Sequence, residues 1–147
     1  MGVTGINHIT WSAGDVEAEV AFLVEVLRCV VVARWPKGAY LLAGDTWLAV
    51  TEGADEVRGD SDYSHIAFAL GPDDVAAVRS RLADWGTKTW QDNWTEGDSI
   101  YFTDPAGHRL EVHVTDLVHR LRTASVAPWP GLEITDAGRA LLDRASG

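Results

Sequence analysis

The chain has 147 residues, and its 22 acidic and 12 basic side chains give it a formal net charge of −10. This length suits one compact domain, or two small modules sharing a core, in which folding buries roughly 70% of the unfolded chain's surface. The negative charge argues against nucleic acid or an anionic membrane as a partner. The single cysteine, Cys29, excludes an intramolecular disulfide, and no segment resembles a signal peptide or a membrane span. We therefore expect a cytoplasmic protein.

The first half of the chain predicts a strand, a helix and three further strands. Residues 5–12 have the pattern of a strand, and Asp15 is a suitable N-cap for a helix whose apolar residues recur from Val16 to Leu27. Turn residues then separate three predicted strands, at 29–35, 39–43 and 46–51. The predicted order of this half is βαβββ.

The second half repeats that order after an acidic loop from Thr51 to Asp62. The predicted elements are a strand at 63–70, a helix at 73–85 that begins after Gly71-Pro72, and strands at 87–91, 99–103 and 109–114. We therefore predict an α+β fold of two βαβββ modules, about residues 3–52 and 62–123, within one domain spanning 1–123. Residues 124–147 form a C-terminal extension, in which Thr135 caps a short helix running to Arg144. We expect this helix to pack on a neighbouring subunit.

Two histidines occupy the same place in the two halves. Asn7-His8-Ile9-Thr10 and Ser64-His65-Ile66-Ala67 read almost alike, and Glu111 lies in a late alternating stretch. When His8 is aligned with His65, and Gly44-Asp45 with Gly107-His108, Glu111 falls opposite Leu48. Two histidines and one carboxylate leave coordination positions open, as a catalytic metal requires. A lone strand histidine is more often a core residue, so the repetition carries the hypothesis.

The remaining histidines are weaker candidates for this site. His113 lies two residues beyond Glu111 and therefore on the same strand face, which makes it a rival ligand or a residue that supports the ligands. His108 and His119 are predicted at a turn and at the surface.

Two consecutive motifs resemble a known family. They are Thr95-Glu96-Gly97-Asp98-Ser99-Ile100-Tyr101-Phe102 and Asp104-Pro105-Ala106-Gly107-His108-Arg109-Leu110-Glu111. With Asn7-His8-Ile9-Thr10, they are similar to the vicinal oxygen chelate (glyoxalase/bleomycin resistance/dioxygenase) superfamily, and within it to the fosfomycin-resistance thiol transferases. The resemblance covers roughly residues 3 to 123. It implies a cupped mixed sheet and a homodimer in which modules of two chains pair.

The resemblance also implies the chemistry of the site. A divalent metal, typically manganese, with zinc, nickel or iron as alternatives, would be held by His8 of one chain and by His65 and Glu111 of its partner. Thr10 would hydrogen-bond the opening epoxide oxygen, and Tyr101 and Arg120 would contact a phosphonate. A thiol co-substrate would attack the ring carbon. A potassium ion would be held by the loop residues Asn93, Thr95, Glu96, Gly97 and Ser99.

The substrate pocket implied by the resemblance departs from the family at two positions. It comprises Tyr40, Trp47, Tyr63, Gln91 and Trp94, where Gln91 replaces a lysine and Trp94 an arginine. We predict a metal-dependent transferase that opens a small epoxide such as fosfomycin and so confers antibiotic resistance. The alternatives are an isomerase, hydrolase or dioxygenase of the superfamily acting on a more apolar substrate, or a protein that sequesters an antibiotic.

Overall fold

The structure is a computed structural model that describes residues 2–93 and 97–147. Its first half contains β1 (His8–Ala13), α1 (Val16–Glu25), β2 (Val30–Trp35), β3 (Gly38–Ala43) and β4 (Thr46–Glu52). Its second half contains β5 (Ile66–Ala69), a 3-10 turn (Pro72–Asp74), α2 (Val75–Asp84), β6 (Thr89–Gln91), β7 (Ser99–Thr103) and β8 (Arg109–His113). Two helices follow, α3 (Leu117–Val126) and α4 (Asp136–Arg144). The predicted α+β fold of two βαβββ modules is confirmed.

Each module forms one four-stranded mixed sheet. The strand order is β1-β4-β3-β2 in the first sheet and β5-β8-β7-β6 in the second. The first strand of each module pairs in parallel with the last, and the remaining pairs are antiparallel. The two strands that carry or follow the repeated histidines, β1 and β5, are therefore equivalent edge strands.

The strand register corrects the alignment of Glu111. In the second module Glu111 pairs with Ala67 and Tyr101, whereas in the first module the residue paired with Thr10 and Tyr40 is Ala49. Leu48 is wholly buried and is equivalent to Leu110, which points to the other face of its sheet. The prediction that Leu48 occupies the fourth ligand position was therefore wrong by one residue, and Ala49 occupies it.

The two modules share one hydrophobic core. Phe22 of α1 packs against Phe102 of β7 and against Trp85 after α2, with ring centroids 6.1 and 5.3 Å apart. The helices are also joined by polar contacts, because Arg81 Nε donates to the Val26 carbonyl at 2.9 Å and Trp85 Nε1 donates to Glu25 Oε2 at 3.0 Å. Fully burying Phe22 contributes about 1.5–3 kcal/mol to stability.

Several predicted ends differ from the observed ones. β1 begins at His8 rather than at residue 5, and β5 begins at Ile66, so His65 precedes the strand in which it was predicted to lie. A hydrogen bond from the backbone N–H of Ser64 to Asp62 Oδ1, 2.8 Å long, holds this approach as a turn. Hydrogen bonds from the Ser64 N–H and hydroxyl stabilise the charged form of Asp62 and so lower the pKa of its carboxyl group.

Two predicted helix caps are present. The side chain of Asp15 accepts from the Ala18 N–H at the start of α1, and that of Thr135 accepts from the Gly138 N–H at the start of α4. Helix α4 packs on α3 of its own chain, where Arg122 donates to the Ala145 carbonyl at 2.9 Å. Among the described residues, none of the helices is long and apolar enough to cross a membrane.

Candidate metal and substrate site

His65 and Glu111 are brought together from opposite ends of the second module. His65 Nε2 lies 3.0 Å from Glu111 Oε2, although 46 residues separate the two in sequence. Glu111 is 5% exposed and lies on the sheet face opposite Leu110 and Val112, which are in the core. The parallel pairing of β5 with β8 places the end of the Tyr63–His65 turn beside this carboxylate.

The hydrogen bonds of His65 define the state of its ring. Its Nδ1 lies 2.8 Å from the carbonyl oxygen of Tyr63, and a carbonyl only accepts, so Nδ1 must carry a hydrogen. In the neutral ring Nε2 would then present a lone pair to a carboxylate oxygen. Two acceptor atoms at this distance need a proton or a cation between them, and the arrangement fits a metal ligand oriented by its other nitrogen.

The second oxygen of Glu111 is occupied by neighbouring side chains. Ser99 Oγ donates to Glu111 Oε1 at 2.7 Å, and His113 Nδ1 lies 3.1 Å from the same oxygen. Ser99 Oγ also contacts His113 Nδ1, and His113 Nε2 lies 2.6 Å from Thr115 Oγ1. Glu111 Oε1 is thus held by protein, which leaves Oε2 directed at His65.

Aromatic rings surround this pair. Tyr63, Trp90 and Tyr101 all pack near the His65 ring, with centroids 5.1 to 6.0 Å away. Gln91 Nε2 donates to the Tyr63 hydroxyl at 3.2 Å. The Arg109 guanidinium lies 5.5 Å from the centre of the Trp90 ring and also donates to the Asp62 carbonyl. We call this group, with His65 and Glu111, the second half-site.

The first module presents an equivalent group, which we call the first half-site. His8 stacks on Trp47 at a centroid distance of 4.3 Å, and Tyr40 meets the same indole edge to face at 5.1 Å. Thr10 lies two residues beyond His8 on the same sheet face. His8 Nδ1 lies 2.7 Å from Asn7 Oδ1, so its Nε2 remains available as a ligand.

One buried donor in the first half-site lacks an acceptor. Trp47 Nε1 is buried without a hydrogen-bond partner among the described residues. A buried N–H left in this state costs about 1–3 kcal/mol. The geometry fits an acceptor supplied from outside the described chain.

The two half-sites do not meet within one chain. The ligand atoms of His8, His65 and Glu111, all among the described residues, do not lie within 4.8 Å of one another. The cause is the shared core, because Leu48 and Leu110 both belong to it and the ligand faces of the two sheets are the opposite faces. His8 therefore lies apart from the other two predicted ligands.

The other predicted site residues lie in the loop before β7, on β7, on α3 or outside the described part. Asn93 Nδ2 donates to the Gly97 carbonyl at 2.8 Å, and Ser99 contacts Glu111. Gly97 has φ +78°, and a Cβ there would lie 2.6 Å from the Thr115 side chain, so this turn requires glycine. Arg120 lies on α3. The predictions for Trp94, Thr95 and Glu96 fall outside the described residues.

One cavity lies apart from both half-sites. It has a volume of about 920 Å³ and is bordered by edge strands β1 and β5, with Ile9, Ile66 and Phe68 in its apolar lining. Neither His65 nor Glu111 lines it. Its lining is mostly aliphatic, with the charged residues Arg28, Asp45, Asp74 and Arg81 also bordering it.

A second titratable cluster was not predicted. Glu19 of α1, Asp104 and His108 are all buried, and one ligand atom from each lies within 4.8 Å of the others. His108 was predicted only as a turn residue. The sequence did contain a signal that Glu19 is buried. It lies three residues after Val16, which places it on the apolar face of α1.

Comparisons with known proteins show the family of the chain. A family model described as the Glyoxalase/Bleomycin resistance protein/Dioxygenase superfamily matches residues 5–112. The protein named glutathione transferase FosA from Serratia marcescens is 38% identical over 135 residues, which cover 88% of this chain and 94% of that protein. The metallothiol transferase FosB from Shouchella clausii is 38% identical over 125 residues, covering 81% and 86%.

A solved structure has a similar fold. It is a mutant of the fosfomycin resistance protein FosX from Listeria monocytogenes, in complex with Mn(II) and 1S,2S-dihydroxypropylphosphonic acid. It aligns with a TM-score of 0.76 at 27% identity, and the alignment covers 83% of this chain and 98% of that one.

Proposed function

The chain belongs to the glyoxalase/bleomycin resistance protein/dioxygenase superfamily, and on that premise we propose that it is a metal-dependent thiol transferase that opens a small epoxide. The observation that carries the proposal is the contact between His65 Nε2 and Glu111 Oε2, in which an imidazole lone pair and a carboxylate oxygen converge. The substrate that we propose first is fosfomycin, because the similar proteins named FosA and FosB are thiol transferases and FosX is a fosfomycin resistance protein.

We propose His8, His65 and Glu111 as the metal ligands. Both imidazoles have Nδ1 engaged by an oxygen, at 2.7 Å for His8 and 2.8 Å for His65, so Nε2 of each is the nitrogen that would bind a metal, and Nε2 of His65 already faces Glu111 Oε2. Manganese is our first candidate, since the similar FosX structure contains Mn(II). A divalent cation held there would act as a Lewis acid toward the epoxide oxygen and leave positions open for substrate.

We propose that a homodimer completes the site. Within one chain the ligand faces of the two sheets turn away from their common core, so His8 cannot join His65 and Glu111. A two-fold axis would place the first half-site of one chain against the second half-site of its partner, twice per dimer. The unpartnered Trp47 N–H supports this proposal, because an acceptor from substrate or partner would satisfy it.

The reaction is a ring opening that the side chains orient. The sulfur of a thiolate co-substrate forms a bond to a ring carbon, the carbon–oxygen bond breaks, and the oxygen takes a proton. We propose that Thr10 hydrogen-bonds this oxygen from the His8 side of the site. Tyr101 and Arg120 would hold the substrate's phosphonate, for which a guanidinium offers paired donors.

The thiol must come from outside the chain. Cys29 is 3% exposed and belongs to the core, and burial raises the pKa of its thiol to about 11. It is therefore neutral at physiological pH and cannot reach a bound substrate. A free thiol pool is characteristic of the cytoplasm, where we propose that the reaction takes place.

We further propose that the loop from Asn93 to Ser99 binds potassium. Its proposed ligands are oxygen atoms of Asn93, Thr95, Glu96, Gly97 and Ser99. In the described part of this loop Asn93 Nδ2 donates to the Gly97 carbonyl at 2.8 Å, which supports the proposal because it holds these two residues close together. Oxygen donors of this kind suit a hard cation.

A second candidate function is another metal-dependent reaction of the superfamily on a more apolar substrate. It is favoured by the aromatic lining of the second half-site and by the neutral side chain of Gln91, which donates to Tyr63. Antibiotic sequestration without metal is the third candidate. The converging His65 and Glu111 argue against it, because a simple aromatic cup does not need them.

Calorimetric titration of manganese-loaded protein with fosfomycin tests the proposal, with thiol consumption measured in parallel. We expect metal-dependent binding that His8→Ala abolishes, followed by loss of free thiol. Manganese binding without fosfomycin binding would contradict the fosfomycin assignment and favour the apolar substrate. Binding of aromatic antibiotics that is indifferent to metal and to His8→Ala would indicate sequestration.

A further inference from the structure

Beyond the proposed site, three buried titratable side chains join the two modules. Glu19 of α1 is 0% exposed, and Asp104 and His108 of the turn between β7 and β8 are 5% and 6% exposed. Unpaired carboxylates are rarely buried to this degree. The reaction that we propose makes no use of these groups.

The hydrogen bonds identify what holds each carboxyl group. Trp11 Nε1 donates to Glu19 Oε1 at 3.0 Å, and the backbone N–H of Ala106 donates to Glu19 Oε2 at 3.2 Å. The backbone N–H of His108 donates to Asp104 Oδ1 at 2.8 Å, and His108 Nδ1 lies 2.8 Å from Asp104 Oδ2. One carboxyl oxygen of Glu19, one of Asp104 and a ring nitrogen of His108 all lie within 4.8 Å of one another, and two carboxylates buried this close repel each other unless they share a proton.

We propose that Glu19 and Asp104 share one proton in the folded protein, and that this pair forms a proton-dependent latch between helix α1 of the first module and the β7–β8 turn of the second.

The charges around the latch show why a proton is needed. Even if His108 were an imidazolium, the two carboxylates would leave one negative charge buried. Two further cations, Arg58 and Arg109, line the small cavity beside His108. Arg58 Nε lies 3.1 Å from Glu56 Oε1 and its Nη1 donates to the Ser64 carbonyl at 2.7 Å, while Arg109 donates to the Asp62 carbonyl and lies 5.5 Å from the centre of the Trp90 ring, so both are engaged elsewhere.

The remaining elements packed against the latch bring no further buried charge. From β1 it is faced by the neutral indole of Trp11, whose ring also packs 5.4 Å from His108. From the loop after β4, the Glu56 N–H donates to the Ala106 carbonyl at 2.8 Å. Burial, together with the Asp104 side chain, raises the pKa of Glu19 to about 9.

The position of the latch gives it a structural consequence. Trp11 lies on the strand that carries His8, and His108 lies three residues before Glu111, so the latch connects the supports of both half-sites. Loss of the proton would leave two adjacent buried carboxylates, which repel each other and lack solvation. The junction between the modules would then loosen as pH rises.

The sign of the pH dependence follows from the raised pKa. The folded protein retains a proton that the unfolded chain loses near pH 4.5, the ordinary value for glutamate. The stabilisation is complete below that value and is lost as pH rises toward about 9. Across that interval this group increases the unfolding equilibrium constant by up to about tenfold per pH unit.

Denaturant unfolding of the full chain between about pH 6 and about pH 10 tests the latch, because it measures this slope directly. Glu19→Gln replaces the protonated carboxyl with an amide of nearly the same shape that does not titrate. The variant loses one of the two hydrogen bonds that Glu19 accepts from N–H groups, because an amide nitrogen is not an acceptor. The stability lost in this way does not change with pH. We expect the free energy of unfolding of Glu19→Gln to fall less steeply with pH than that of the wild type, by the equivalent of about one proton released on unfolding. Glu17→Gln, on the exposed side of α1, should keep the wild-type slope.

A Glu19→Gln variant that keeps the wild-type slope would overturn the proposal. If that variant does not fold, infrared spectroscopy of the wild-type protein replaces it. The carbonyl stretch of a buried protonated carboxyl must be present at neutral pH and disappear on alkaline titration, and its absence at neutral pH would also overturn the proposal. A third outcome would also overturn it. If Zn²⁺ or Mn²⁺ stabilised a His65→Ala variant, and adding Glu19→Gln to that variant removed the stabilisation, a cation rather than a proton would neutralise the pair.

Discussion

Ser99 Oγ donates to Glu111 Oε1 at 2.7 Å across the β7–β8 pair, and so fixes which carboxylate oxygen faces His65. This contact makes Ser99 a positioning residue for the proposed metal ligand. Supports of this kind typically contribute 10- to 100-fold to metal affinity.

We therefore expect Ser99→Ala to weaken Mn²⁺ binding by about 10- to 100-fold while the fold is retained. Calorimetric titration with Mn²⁺ measures the effect, and Ser80→Ala on the exposed side of α2 is the control. Potassium-free buffer separates this effect from loss of a potassium ligand. Unchanged Mn²⁺ affinity in Ser99→Ala would show that Glu111 needs no such support.

A site shared between two chains predicts complementation. His8→Ala and Glu111→Gln should each abolish Mn²⁺ binding when alone. In a dimer of one chain of each kind, one site combines the intact His8 of one chain with the intact His65 and Glu111 of the other. Random pairing should then restore about a quarter of the wild-type sites.

The complementation is measured by co-expressing the two variants and counting bound Mn²⁺ per chain. The double variant His8→Ala/Glu111→Gln, mixed with wild type, is the matched control for pairing. Recovery of no sites from the two single variants, despite demonstrated pairing, would mean that each chain builds its own site.

The thiol of Cys29 should be unreactive in the folded protein. Burial raises its pKa to about 11, so the nucleophilic thiolate is scarce at pH 8 and solvent does not reach it. We expect labelling by a thiol reagent to be at least about 100-fold slower in native protein than in denatured protein. Rapid stoichiometric labelling of native protein at that pH would contradict the buried position.

Arg28 offers a way to stabilise the protein. It follows α1 and has φ +60°, a left-handed conformation that glycine adopts without strain. We expect Arg28→Gly to raise the free energy of unfolding by about 0.5–1 kcal/mol, because relief of strain exceeds the added chain entropy.

Arg28→Ala is the control, since it removes the charge and keeps the Cβ that causes the strain. Chemical denaturation of both variants measures the difference. Equal stability of the glycine and alanine variants would show that the backbone at this position is not strained.

Much of the fold could be read from local pattern. Alternating apolar residues predicted the strands, and the 3.6-residue period predicted α1 and α2. Asp15 and Thr135 predicted the starts of α1 and α4, because capping signals act within a few residues. The ends of strands were predicted less accurately, since β1 and β5 both begin three residues later than predicted. His65 lies before β5 because side-chain and backbone bonds of Asp62 and Ser64 compete with strand pairing there.

The sequence by itself determined the repetition of histidines in two modules and the family motifs around Glu111, and it predicted the types of the proposed ligands. Only the tertiary structure decided that Ala49, and not Leu48, is equivalent to Glu111, because strand register depends on pairing between distant segments. It also decided that His65 meets Glu111 while His8 does not, and that Glu19 meets Asp104 across the modules. Each of these outcomes depends on how two sheets share one core, and no local pattern of residues encodes that arrangement.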